Sequence, residues 1–230
     1  MSFADCIQAG ESHCPFCRRT PVLLKPLCLL LSAVMATTSF AATADDQVAV
    51  DPHGPAYTAD GRLIAPADYR EWVYLSSGLD MSYNPKAMAS PSPMFDNTFV
   101  NPESYRAFAS TGRWPDKTVI VLEVRGSAGK GSINQRGHYQ SGGVQGMEVH
   151  VKDTARFQGG WAFFSFDDGA APAKQIPVAE ACYTCHSAHA AVDTTFVQFY
   201  PTLLPIAQQH STLSAAYLKD TAELVGSPAR

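Results

Sequence analysis

Apolar positions in the middle of the chain alternate or cluster with the period of strands. Thr118–Val124, Gly146–Val151 and Trp161–Phe166 are rich in β-branched and aromatic residues, and each reads as a strand. Phe95-Asp-Asn-Thr-Phe-Val100 reads as a fourth, and Trp72-Val-Tyr-Leu75 is strand-like after a short helix over Pro66–Glu71. Asn101-Pro102 gives an N-cap with proline at the first helical position, and Gly112 stops that helix. The intervals 84–94, with three prolines, and Gly126 to Gly143, rich in Gly, Ser and Asn, are expected to be loops. The last third reads as helical over Val178–Ala190 and, after the N-cap candidate Asp193, over Thr194–Tyr200. Strands joined by loops rather than by regular helices predict an α+β fold, mainly an antiparallel sheet with flanking helices.

The N-terminal segment has a different pattern. Arg18-Arg19, an apolar run over Leu27–Ala36 and then small residues form the n-region, h-region and cleavage zone of a secretory signal peptide. A leader over 1–44 is expected, cut after Ala41 or Ala44; the run is about half the roughly 20 residues of a bilayer-spanning helix, so no anchor remains after cleavage. An extended lead-in over 45–65, a domain over 66–210 and a polar C-terminal tail over 211–230 complete the expected organisation. The expected location is the periplasm.

Composition narrows the class. The 230 residues carry 17 basic and 21 acidic side chains, a net charge of −4, which argues against nucleic-acid binding through a basic face. Of six cysteines, Cys6, Cys14, Cys17 and Cys28 lie in the leader, and only Cys182 and Cys185 lie beyond it. A disulfide framework fits that distribution poorly.

The remaining pair belongs to Cys182-Tyr-Thr-Cys185-His186, a C-x-x-C-H signature for c-type haem attachment. On a helix the two thiols share a face and can form thioethers with the porphyrin vinyl groups. His186 can then reach the iron as an axial ligand. Zinc would want about four ligands, and thiol redox chemistry a thioredoxin-like context that is missing here. No methionine follows His186, His189 is on the same helix, and His210 reads as a surface residue. One covalently bound haem with five-coordinate iron is therefore expected, and open iron points to small-ligand binding or chemistry.

With these residues in view, the chain resembles the cytochrome P-460 family, which includes the β-type cytochromes c′. The resemblance runs through Tyr69-Arg-Glu-Trp-Val73, Asn101-Pro-Glu-Ser104, Thr118-Val-Ile-Val-Leu-Glu123, Gly146–Asp153, Gly160-Trp-Ala-Phe163, the haem motif and Phe199-Tyr-Pro201. It implies a homodimer and a haem whose distal face is lined by strand residues. Hydroxylamine-oxidising members carry a lysine cross-linked to the porphyrin; the matching position here is Leu122, and Lys117 falls on the opposite face by strand alternation. The family's distal arginine position holds Asp96, and its distal glutamate is retained as Glu148. Asp96 and Glu148 are candidate distal proton acceptors, against the plainer reading of outward-facing carboxylates. Phe95, Phe99, Trp161 and Phe163 read as core packing, the last two against the haem edge. The resemblance implies binding of nitric oxide or carbon monoxide, for scavenging, storage or sensing, with a redox partner protein supplying electrons. Hydroxylamine oxidation is the alternative, and simple electron transfer a further one that needs a sixth iron ligand.

Overall fold

The computed structural model describes residues 52–83, 86–166 and 171–226. The expected leader and its four cysteines lie outside the described residues. Five strands, β1 (Val73–Leu79), β2 (Met94–Val100), β3 (Val119–Ala128), β4 (Tyr139–Lys152) and β5 (Trp161–Phe166), form one antiparallel sheet in the order 1-2-3-4-5. The expected α+β class, mainly antiparallel sheet with helices beside it, is what the chain adopts. Helix α1 (Pro102–Thr111) joins β2 to β3, while α2 (Ala181–His189), α3 (Leu204–Gln209) and α4 (Ala215–Gly226) follow the sheet.

Side chains alternate faces along a strand, so the register assigns each residue to a layer. Val119 and Val121 of β3, Met147, Val149 and Val151 of β4, and Ala162, Phe164 and Phe166 of β5 share one face and are buried with Leu63, Tyr69 and Trp72. Phe99 packs against this layer, as a core residue should. In the same layer Glu123 is 1% exposed, held by Tyr69, Arg70, Arg125 and Asn97. The opposite face divides along the strands. At one end Leu75, Val100, Ile120 and Trp161 are covered by Phe108 of α1 and by Val197, Tyr200, Leu203 and Ala207. At the other end the sheet stays open, and that opening is the cleft described below.

Four expectations change. The interval Gly126 to Gly143 is a loop only at its tip, because β3 and β4 continue as a hairpin through Gly126↔Ser141, Ser127↔Gln140 and Ala128↔Tyr139. Backbone pairing carries this extension without an apolar face, which is why residue type did not reveal it. The lead-in is not simply extended: Thr58 to Arg62 makes a tight turn, and Leu63 bridges to Ala173 and enters the core at 1% exposure. Asp193 caps no long helix. It takes a left-handed φ of 52° in a turn closed by the Val192↔Thr195 bridge, and only Val197–Phe199 is helical, as a 3-10 turn. The segment read as a polar tail carries α4, whose Asp220 bonds His189 of α2.

Candidate functional site

Helix α2 carries the thiol pair. Its N-terminal half docks on β5 through Tyr183, whose ring meets Phe163 edge-on at 4.8 Å and whose hydroxyl donates to Ile176 O at 3.1 Å. Its last turn is closed by Gln198, which donates to His189 O at 2.8 Å and accepts from Ala191 N at 2.9 Å. Cys182 and Cys185 are free thiols, partly exposed. The helix thus presents both sulfurs on one side while holding His186 inward.

His186 is set by the turn that follows. Its Nδ1–H donates to Thr194 O at 2.7 Å, which leaves Nε2 with the lone pair. That turn is itself fixed: Lys152 bonds both Asp193 and the Trp114 carbonyl, and the Trp114 indole donates to Thr195 Oγ1 at 2.8 Å. The imidazole lies between Phe196 and Phe163, with centroids at 4.2 and 4.6 Å. Burial lowers its pKa, and the Thr194 bond only partly opposes this, so the ring is held neutral, as an iron ligand must be.

Behind His186 stands His150, a residue that sequence reading passed over. It stacks on Phe163 at 3.9 Å, meets His186 edge-on at 5.4 Å, and its Nε2 lies 3.3 Å from Thr194 Oγ1. Burial, and secondarily its electrostatic interaction with His186, holds its pKa well below the usual histidine value. Its position was available in the pattern, since His150 follows Glu148 by two and shares its face.

The cleft in front of His186 has a volume of about 210 Å³. Ile120, Leu122, Phe163, Phe196 and Phe199 supply its apolar wall, and Asp96 and Glu148 its carboxylates. Cross-strand register explains the grouping: Leu122 stands opposite Thr98 on one side and Glu148 on the other, with Asp96 two residues from Thr98. The three distal candidates from the sequence are therefore brought together. Burial raises the pKa of Asp96, and burial with the Asp96 charge raises that of Glu148. No lysine or arginine lines the cleft among the described residues. Lys117 lies before β3, at a φ of 69°, and pairs with Asp153. Two further lining residues, Met81 and Tyr83, come from the segment after β1 and were also missed.

The donor set matches a c-type haem. The two thiols could carry the porphyrin edge, the neutral imidazole with its second nitrogen committed would offer one lone pair to iron, and the apolar cleft would receive the macrocycle. Among curated proteins no match is found. A family model described as Cytochrome P460 matches residues 66–197, a span that contains all five strands, the haem motif and the turn that orients His186. The chain belongs to the cytochrome P460 family, and is a haem cytochrome.

Proposed function

We propose that this cytochrome carries one haem, covalently bound through Cys182 and Cys185, and binds small neutral ligands such as nitric oxide or carbon monoxide. The observation that carries this reading is the lone pair of His186 Nε2, set at an apolar cleft whose lining offers no second imidazole except His150, which is packed behind His186. Haem supplies a site for diatomic coordination and one-electron exchange when bound. The protein does the rest. Thr194 fixes the tautomer and direction of His186, while Leu122, Ile120 and Phe163 give the cleft an apolar wall. Asp96 and Glu148 stand as proton holders in the same space, and the absence of lysine and arginine among the described lining residues disfavours anionic ligands. Thioether attachment is made outside the cytoplasm, so the reading includes export to the periplasm, with a redox partner and a homodimer as further parts. Scavenging, storage or sensing are the roles it serves.

A second reading, hydroxylamine oxidation, is favoured by one observation: two carboxyls with raised pKa values share the cleft with no lysine or arginine among the described lining residues, which makes them stronger proton acceptors than ordinary carboxylates. Leu122 weighs against it, since no nucleophile stands where the hydroxylamine-oxidising relatives place their lysine. The deciding experiment is the absorption spectrum of the reduced protein with and without carbon monoxide or nitric oxide. A spectral shift with either gas is expected; an unchanged spectrum would overturn ligand binding. Steady hydroxylamine turnover with an artificial acceptor, lost in Glu148→Gln, would move the assignment to the enzyme.

A further inference from the structure

Strand β1 ends at Leu79, and the chain then turns back over the open end of the sheet. Asp80 makes the turn in the left-handed region, with φ 54°. Its N–H donates to Met94 O at 2.9 Å, and its Oδ2 accepts from Ser90 N at 2.8 Å. The next residue, Met81, is thus launched from a position tied at both ends of the segment. Its side chain folds onto Gly78, a residue of the cleft that pairs with Asp96. A Cβ at Gly78 would stand 2.4 Å from Met81 Sδ and 2.9 Å from its Cγ. Glycine at 78 is what lets the thioether lie against the cleft face of the sheet.

Two residues on, the Tyr83 ring meets Phe196 at 5.7 Å, and Phe196 meets His186 at 4.2 Å. The segment that carries Met81 therefore reaches the residues around the axial imidazole. The other donors in the cleft are poorer partners for haem iron opposite a histidine. His150 is on the His186 side, stacked on Phe163. Asp96, Glu148 and Tyr83 are hard oxygen donors, whereas a neutral thioether opposite histidine is an established haem pairing. Met81 is 40% exposed, so its thioether is not locked into the core.

We propose that the Met81 thioether is the second axial ligand of the gas-free protein, and that small ligands enter by displacing it. This rests on the ligand-binding reading above and replaces a vacant sixth position with a guarded one. The exchange moves no proton and no electron: the sulfur lone pair leaves the iron and the lone pair of the incoming ligand takes its place. Discrimination follows, because a weak donor such as water does not displace a tethered sulfur, whereas nitric oxide or carbon monoxide does. The apparent affinity for gas is lowered by the fraction of protein whose sulfur is bound.

The test uses the purified holoprotein and its Met81→Leu, Met81→His and Gly78→Ala variants, read by electron paramagnetic resonance and near-infrared magnetic circular dichroism. The wild-type ferric protein is expected to be low-spin with a methionine-to-iron charge-transfer band. Met81→Leu should become high-spin without the band, and Met81→His should be low-spin, also without it. Gly78→Ala, with circular dichroism unchanged, should lose the band through displacement of the sulfur. Carbon monoxide affinity of the reduced protein should rise about tenfold or more in Met81→Leu. A high-spin wild type, or a low-spin signature that survives Met81→Leu, overturns the proposal while leaving gas binding intact. A methionine band present in the wild type, with no carbon monoxide binding even in Met81→Leu, supports the ligand and overturns the gas-binding reading instead.

Discussion

Glu148 and Asp96 stand on strands separated by β3, yet the charge of Asp96 adds to burial in raising the Glu148 carboxyl above its ordinary value of 4.5. Leu122 lies between them on the intervening strand and supplies no charge to neutralise either one. A raised carboxyl pKa means the folded state binds more protons than the unfolded state above the ordinary value. Stability therefore falls as pH rises through that window. In Glu148→Gln this slope should shrink, and the variant should melt above the parent on the alkaline side. Thermal melts across roughly pH 4 to 8 read the effect; parallel curves for parent and variant would refute it.

The other face of the same sheet carries the opposite dependence. Burial pushes Glu123 up, but the Tyr69, Arg125 and Asn97 hydrogen bonds and the Arg70 charge outweigh it, so the carboxyl is held below 4.5. Its contribution is present at neutral pH and is lost as pH falls through the folded value. Glu123→Ala should cost about 3 kcal/mol, the low end for removing one partner of a buried pair, because Arg70 is half exposed and returns to water. The melting temperature should drop by roughly 6–12 °C at neutral pH. The deficit should narrow in acid.

Gly112 ends α1 at φ 67°, where an added Cβ would stand 2.8 Å from His210 Cβ and 2.9 Å from Thr212 Oγ1. Gly112→Ala combines left-handed backbone strain with overpacking and should destabilise by about 2 kcal/mol. Urea melts measure it. No change would mean that the segment after α3 yields freely.

Loss of one thiol should leave haem attached. Cys182→Ala and Cys185→Ala should each show an intact mass of polypeptide plus one haem, resistant to acid–acetone extraction, whereas the double variant should release all its haem. Haem retained by the double variant would imply a bond elsewhere, and Leu122 offers none. Coordination should survive in each single variant, because Thr194 and not the thioethers directs His186.

Where packing writes a period into the residues, the sequence was readable. Val119, Val121, Val149 and Val151 alternate because one face is core, and the strands around them stand close to where the pattern put them. Leu122, Asp96 and Glu148 were placed by the family resemblance, and the register brings Leu122 and Glu148 side by side with Asp96 two residues along β2. The hairpin extension beyond Gly126 was invisible because backbone hydrogen bonds, not side chains, hold it. Helix α4 was invisible because its partner α2 is distant in sequence and the interface is small. Met81 and Tyr83 were missed because their placement depends on a turn at Asp80 and on the missing side chain of Gly78, neither of which leaves a periodic trace.

The strand order 1-2-3-4-5 has a temporal side. Each strand pairs only with its neighbours in sequence, so the sheet closes through local links with little loop entropy to overcome. All five strands precede Cys182, so a chain emerging N-terminus first presents every strand of the sheet before its C-x-x-C-H motif. On the attachment proposed above, haem would join α2 to a sheet whose strands all come earlier in the chain, as a late clasp rather than a nucleus of folding.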